Sequence, residues 1–138
     1  MIRHADLSDI PAILVMGKAF ADEAGVTDLV GWDDNSVTGL LTSLIEHDDG
    51  LMLIGGRSIL GGVAYAHPFN NAIKIFQELF WRSHGHEGVK ALRMAEQWMQ
   101  DRGVSRSFML GLDTMPNLDR FYQRLGYRAA ERTFVKEF

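Results

Sequence analysis

The chain contains no cysteine. That absence excludes disulfides, thiolate zinc sites and a cysteine nucleophile. Proline is nearly as scarce. Pro11, Pro68 and Pro116 are its only representatives, and each suits the boundary of an element rather than its interior. No apolar run approaches the ~20 residues needed to span a bilayer. The opening Met1-Ile2-Arg3-His4-Ala5-Asp6 is too polar to begin a secretion signal. The expected location is therefore the cytoplasm, with no membrane partner. A basic surplus is missing as well. The 14 Lys and Arg are scattered among 18 Asp and Glu, giving a net charge of −4, which argues against nucleic acid as a partner. Linkers, low-complexity segments and internal repeats are lacking. What is present is a 46% share of hydrophobic residues in 138 positions. That is enough for one substantial core, so a single domain over 1–138 is expected.

Residues 2–5 read as a short opening strand. Ser8 or Asp9 can cap a helix with Pro11 in its first turn, and Ile10, Ile13, Leu14, Gly17 and Phe20 continue it at helical spacing up to Gly25. A second helix is expected from about Ser36, with Val37, Leu40, Leu41, Leu44 and Ile45 inward. Leu51-Met52-Leu53-Ile54 is a buried strand, Gly55-Gly56-Arg57 a hairpin turn, and residues 58–67 the return strand. Asn70-Asn71 is the next expected turn. The strand over 72–81 is apolar on both faces apart from Lys74, Gln77 and Glu78, which implies helices on both sides of the sheet. Ala91, Leu92, Ala95, Trp98 and Met99 then form a helical stripe closed by Gly103. A strand over 107–112, a helix over 116–125 and a last strand or pair of strands over 129–138 complete the order β-α-α-β-β-β-α-β-α-β. This is an α/β domain with a mixed sheet, an architecture that hosts many functions.

The most specific segment is Asn117-Leu118-Asp119-Arg120-Phe121-Tyr122-Gln123-Arg124-Leu125-Gly126-Tyr127. Leu118, Phe121 and Leu125 share one helical face, and Gly126 stands where a C-terminal capping glycine belongs. Taken alone it is an amphipathic helix with a core tyrosine. With Asn117 at its head and an aromatic after the glycine, it resembles the C-terminal motif N…FYxxLGY of the GNAT N-acetyltransferases, in which the tyrosine lies beside the sulfur of coenzyme A. The element order matches the GNAT layout from end to end. Glu78-Leu79-Phe80-Trp81, Gly88-Val89-Lys90-Ala91-Leu92, Glu96-Gln97-Trp98 and Arg102-Gly103-Val104 resemble a short phage- and bacterial-type branch of that family. The resemblance implies a GNAT-like mixed, centrally splayed β-sheet with helices on both faces, opening between the strands at 72–81 and 107–112. It also implies acetyl-CoA as acyl donor, an amine as acceptor and no metal. Family members often dimerise, so a homodimer is a further expectation of the resemblance, carried by no particular residue.

GNAT proteins bind the pyrophosphate of acyl-CoA on the loop before the third helix, where backbone N–H groups and a helix dipole meet the anion. The usual pattern is Q/R-x-x-G-x-G/A. Here the loop is Arg82-Ser83-His84-Gly85-His86-Glu87-Gly88, with Ser83 at the first position and His86 at the middle glycine. Arg82 and Gly85 are placed to compensate, whereas the charge of Glu87 opposes a phosphate. An ordinary strand-to-helix turn is the alternative reading. The resemblance assigns the pantetheine to the backbone of Leu79, Phe80 and Trp81, the pyrophosphate to residues 83–88, and Asn117 and Tyr122 to the thioester end. Asn117 could equally be a plain helix cap.

Direct acetyl transfer to a primary amine of a small molecule or protein needs a base for the amine and a donor for the departing thiolate. Glu78 is the base candidate, because a carboxylate in an apolar strand beside Phe76 and Phe80 is costly to bury and its pKa tends upward. The alternative is a structural pair with Arg82, Lys74 or a backbone N–H. Tyr122 is the acid candidate by its place in the family motif. His84 and His86 lack further ligands, so no metal is expected. Trp32-Asp33-Asp34-Asn35 falls where GNAT proteins commonly shape the acceptor pocket, and its acidity would suit a cationic amine, although a solvated loop also explains it. The rival to an enzyme is a GNAT-fold CoA-binding or interaction module without catalysis, favoured by the degenerate loop.

Overall fold

A computed structural model describes residues 1–111 and 117–138. Three antiparallel strands form the centre of the sheet: β2 (Gly50–Gly55), β3 (Ser58–His67) and β4 (Asn70–Arg82). The two-residue strand β1 (Arg3–His4) pairs antiparallel with β2, and β5 (Arg106–Phe108) pairs parallel with β4, in the order β1-β2-β3-β4-β5. The β2–β3 connection is Gly56-Arg57, with Gly56 at φ 56° as a two-residue hairpin of this hand requires. The β3–β4 turn falls on Pro68-Phe69 rather than on Asn70-Asn71. Proline has no N–H for a ladder and suits the turn, while the Asn70 side chain accepts the Ala72 N–H at 3.1 Å and opens the strand.

Helices α1 (Ile10–Glu23) and α3 (Asp34–Glu46) cover one face of the sheet and α4 (Glu87–Asp101) the other. Strand alternation divides the core between them. Leu51, Leu53, Leu60 and Phe76 pack with Leu92, Ala95, Trp98 and Met99 of α4. Met52, Ile54 and Ile59 pack with Ile13, Leu41 and Leu44. Asp9 is the N-cap position of α1, without a side-chain capping bond, and Pro11 falls in the first turn as expected. Asp6 caps a 3-10 turn (Leu7–Asp9), accepting the Ser8 N–H at 2.8 Å while Asp9 accepts the Asp6 N–H at 2.9 Å. Arg3 holds Asp9 through two contacts of 2.7 and 2.8 Å. A short helix not expected from the periodicity, α2 (Val26–Val30), stands between Gly25 and Gly31, both left-handed at φ 79° and 73°. Helix α5 (Leu118–Arg124) carries the tyrosine motif; the expected starting position Pro116 and the strand end Leu112 lie outside the described residues. No helix among the described residues is long and apolar enough to cross a membrane.

The expected strand over 129–138 does not form. These residues are irregular and exposed, Phe134 at 89%. The segment has β-prone Thr133-Phe134-Val135 but no turn residue after Gly126 with which to fold a pair, and β5 offers an edge only three residues long.

A β-bulge sets the geometry of the site. Gly61 pairs with Phe80 and Gly62 with Glu78, so Leu79 has no partner on β3. Leu79 and Phe80 consequently both face α1 and α3, and Trp81 returns to the α4 side. Phe80 is thus not on the face of Glu78, contrary to simple alternation; Phe76 is. The paired glycines make the bulge affordable, because the rings of Phe76 and Phe80 lie over them. A Cβ on Gly62 would run into the Phe76 ring and stand 2.6 Å from the Gln77 carbonyl. Gly62→Ala should therefore cost about 2–3 kcal/mol, at the upper end of core overpacking, read as a lowered urea midpoint. A midpoint within error of wild type would mean that β3 is looser at the bulge than its packing indicates.

Candidate active site

Strands β4 and β5 pair only over Ile75–Gln77 and Arg106–Phe108. Beyond that point β4 runs on to Arg82 while the other chain leaves it, and the sheet opens. A cleft of about 570 Å³ fills the opening. Glu78, Trp81, Leu110, Phe121 and Tyr122 line its inner part, and Ser83, His84, Gly85 and Val89 its outer part at the start of α4.

Glu78 is 3% exposed and has no cationic partner among the described residues. Arg82 pairs instead with Glu23 at 3.0 Å and Lys74 with Asp49 at 3.1 Å, which removes both ion-pair alternatives. The carboxylate accepts the Tyr122 hydroxyl at 3.3 Å and, more weakly, the Leu110 N–H at 3.4 Å. Burial pushes the Glu78 carboxyl up to about 7, and these two donors only partly oppose the shift. The Tyr122 hydroxyl is also 3.1 Å from the Leu110 carbonyl, so its one proton is shared between two acceptors. Burial first, and the charge of Glu78 second, push its pKa above the ordinary phenol range. Trp81, Phe121 and Tyr127 surround its ring at centroid distances of 6.0, 6.2 and 5.5 Å. Helix α5 presents Tyr122 inward because the ring is 8% exposed on the single buried face of a seven-residue helix.

The structure brings Glu78, Tyr122, Trp81, Arg82, Ser83, His84 and Gly85 to one cleft. It does not bring Leu79 and Phe80 there by their side chains, which point to the other face. Asn117 occupies the N-cap position of α5 without a side-chain capping bond. In the outer loop, the His84 N–H is taken by Ser58 Oγ at 2.8 Å, which leaves Gly85, His86, Glu87 and Gly88 as donors toward an anion. Helix α4 has no side-chain cap, so its first N–H groups have no such partner. Gly85 is left-handed at φ 62° with open space at its Cβ position, while Gly88 is closed over by Ser83. Glu87 remains at the helix start, its charge offset by Lys90 and the chain N-terminus at 3.6 Å each. Among the described residues no group of three or more His, Asp or Glu stands together as a metal site would require.

The acidic segment after α2 is engaged locally. Asp33 accepts the Ser36 N–H at 2.8 Å as the cap of α3, and Asp34 accepts the Trp32 indole N–H at 2.7 Å. Phe20 and Glu23 of α1 also line the cleft. In the sequence Phe20 belongs to a core stripe and nothing local marks Glu23, since their meeting with β4 is purely tertiary. Gly61-Gly62 inside a strand was a readable sign of the bulge.

No family model matches the chain, and no curated protein matches it in sequence. Its likeness to solved structures is extensive. A structure described as a predicted acetyltransferase with acetyl-CoA from Clostridium acetobutylicum superposes with TM-score 0.78 at 11% identity, over 99% of this chain and 95% of that one. A ribosomal-protein-alanine N-acetyltransferase from Brucella melitensis biovar Abortus 2308 gives 0.70 at 11% identity, over 100% and 99%. A transcriptional regulator from Bacillus halodurans C-125 gives 0.75 at 17% identity, over 100% and 99%. The chain has the GNAT fold, which these structures share. At such identities the likeness carries the architecture and leaves the chemistry to the site.

Proposed function

We propose that residues 1–138 form an acetyl-CoA-dependent N-acetyltransferase that moves an acetyl group directly to a primary amine. The observation that carries this reading is the buried Glu78 carboxyl, without a cation and hydrogen-bonded to Tyr122, in a cleft that runs to an uncapped helix N-terminus. Pantetheine would lie along the β4 backbone at Leu79 to Trp81, with the pyrophosphate at the N–H groups of 85–88. Glu78 takes the proton from the amine as the C–N bond forms. Once neutral, it no longer raises the pKa of Tyr122, which becomes a better acid. As the C–S bond breaks, Tyr122 gives its proton to the departing sulfur and recovers the proton from Glu78. The amine proton thus ends on coenzyme A and both residues return to their starting forms.

A second reading, a CoA-binding module without catalysis, is favoured by the loop. Arg82 is tied to Glu23 and the His84 N–H to Ser58. Calorimetric titration with acetyl-CoA, followed by thiol release with a panel of primary amines, separates the two. Binding with amine-dependent release is expected. Binding without release supports the module, and no binding contradicts both.

A further inference from the structure

A second cavity, of about 130 Å³, lies on the other side of β4 between α1, α2 and α3. Phe20 lines both it and the cleft, and β4 alternates between them: Glu78 and Trp81 face the cleft, Leu79 and Phe80 the cavity. Gly17, Trp32 and Leu40 complete its wall. No charged side chain lines it. Its one polar group, the Trp32 indole N–H, is already donated to Asp34. Gly17 is what lets Trp32 lie against α1, since a Cβ there would meet the ring at 3.2 Å. An apolar cavity of about 150 Å³ takes a benzene-sized guest, and a charged or hydroxylated guest would lose its hydration without finding a partner.

We propose that this cavity is the acceptor's specificity site and that the acceptor is a primary amine bearing a branched aliphatic or aromatic group. The inference rests on the acetyl-transfer reading and names the substrate class for it. The apolar group sits between Trp32 and Phe80, and the chain around Phe20 delivers the amine to Glu78. Among the described residues no carboxylate lines the cavity, so the second cation of a polyamine or the hydroxyls of an amino sugar find no partner inside it.

Thiol release from acetyl-CoA, measured with isoamylamine and benzylamine against ethanolamine and putrescine, tests this. The apolar amines should be favoured roughly 10- to 100-fold in kcat/KM, the usual return of a hydrophobic pocket. Leu40→Trp, at a position already 37% exposed, fills the cavity from its rim and should bring the two classes within a few fold of each other. Gly17→Ala, which crowds Trp32, should move the ratio the same way. Equal or reversed preference in the wild type, or a preference that survives Leu40→Trp, overturns the inference and leaves acetyl transfer standing. Should acetyl-CoA bind while no amine releases thiol, acetyl transfer fails, and the cavity is read by NMR. The Trp32 indole N–H resonance should move with benzylamine and not with putrescine, and an unmoved resonance overturns the inference.

Discussion

Tyr122→Phe should lower kcat by roughly 10²–10⁴-fold, the usual contribution of a positioned general acid, with little change in acetyl-CoA affinity. The substitution keeps the ring that packs against Tyr127 at 5.5 Å and deletes only the hydroxyl that reaches Glu78 and Leu110. The fold should survive, because even a hydrogen bond to a carboxylate is worth only about 1.5–3 kcal/mol net. If Tyr122 donates only when the sulfur departs, kcat and kcat/KM fall together and the calorimetric affinity for acetyl-CoA stays put. Full activity in the Phe variant would remove Tyr122 from the chemistry and leave the sulfur to take its proton from elsewhere.

Glu78→Gln should move activity and stability in opposite directions. Activity should fall by a factor comparable to that of the Tyr122 change, since glutamine cannot accept the amine proton. Stability should rise above neutral pH, for a reason that lies in the sign of the shift. The folded-state pKa is raised from 4.5 to about 7, so the folded chain holds its proton where the unfolded chain has already released it. Below pH 4 both states are protonated and the substitution should be close to neutral. Between about 4.5 and 7 the wild type loses stability progressively, and above 7 the full penalty applies. A displacement of this size corresponds to about 3 kcal/mol. Denaturant midpoints of both proteins at pH 4 and pH 8 check it. A gap that is the same at both pH values would show that burial of the charge is not the cause.

Much of the architecture was legible in the sequence because the relevant signals are local. The period of the stripe Ala91, Leu92, Ala95, Trp98 and Met99 fixed α4, and the unbroken apolar run Leu51-Met52-Leu53-Ile54 marked a buried strand. Gly56 and Gly126 announced their turns. Glu78 could be singled out because a charge in an apolar strand needs a reason, and Tyr122 through its motif. Features that depend on tertiary context were not legible. The bulge at Leu79 moved Phe80 to the far face. Arg82 found Glu23, a residue 59 positions away. The tail at 129–138 has strand composition without an edge long enough to pair on, and composition alone cannot report that. The sequence of Trp32-Asp33-Asp34-Asn35 suits an acceptor pocket or a solvated loop alike, and nothing local shows that Ser36 and the indole bond its carboxylates.

The central claim is that Glu78 acts as the base in amine acetylation while poised near neutrality by burial. Its most direct test is the pH dependence of kcat/KM for amine-dependent thiol release from acetyl-CoA. A weakly basic amine that stays neutral across the range should be used, so that only protein groups titrate. The rate should fall tenfold per unit below a midpoint near 7, as a single carboxyl takes up its proton. A profile flat down to pH 5, or one whose limb lies in the ordinary carboxylate range, would contradict the account.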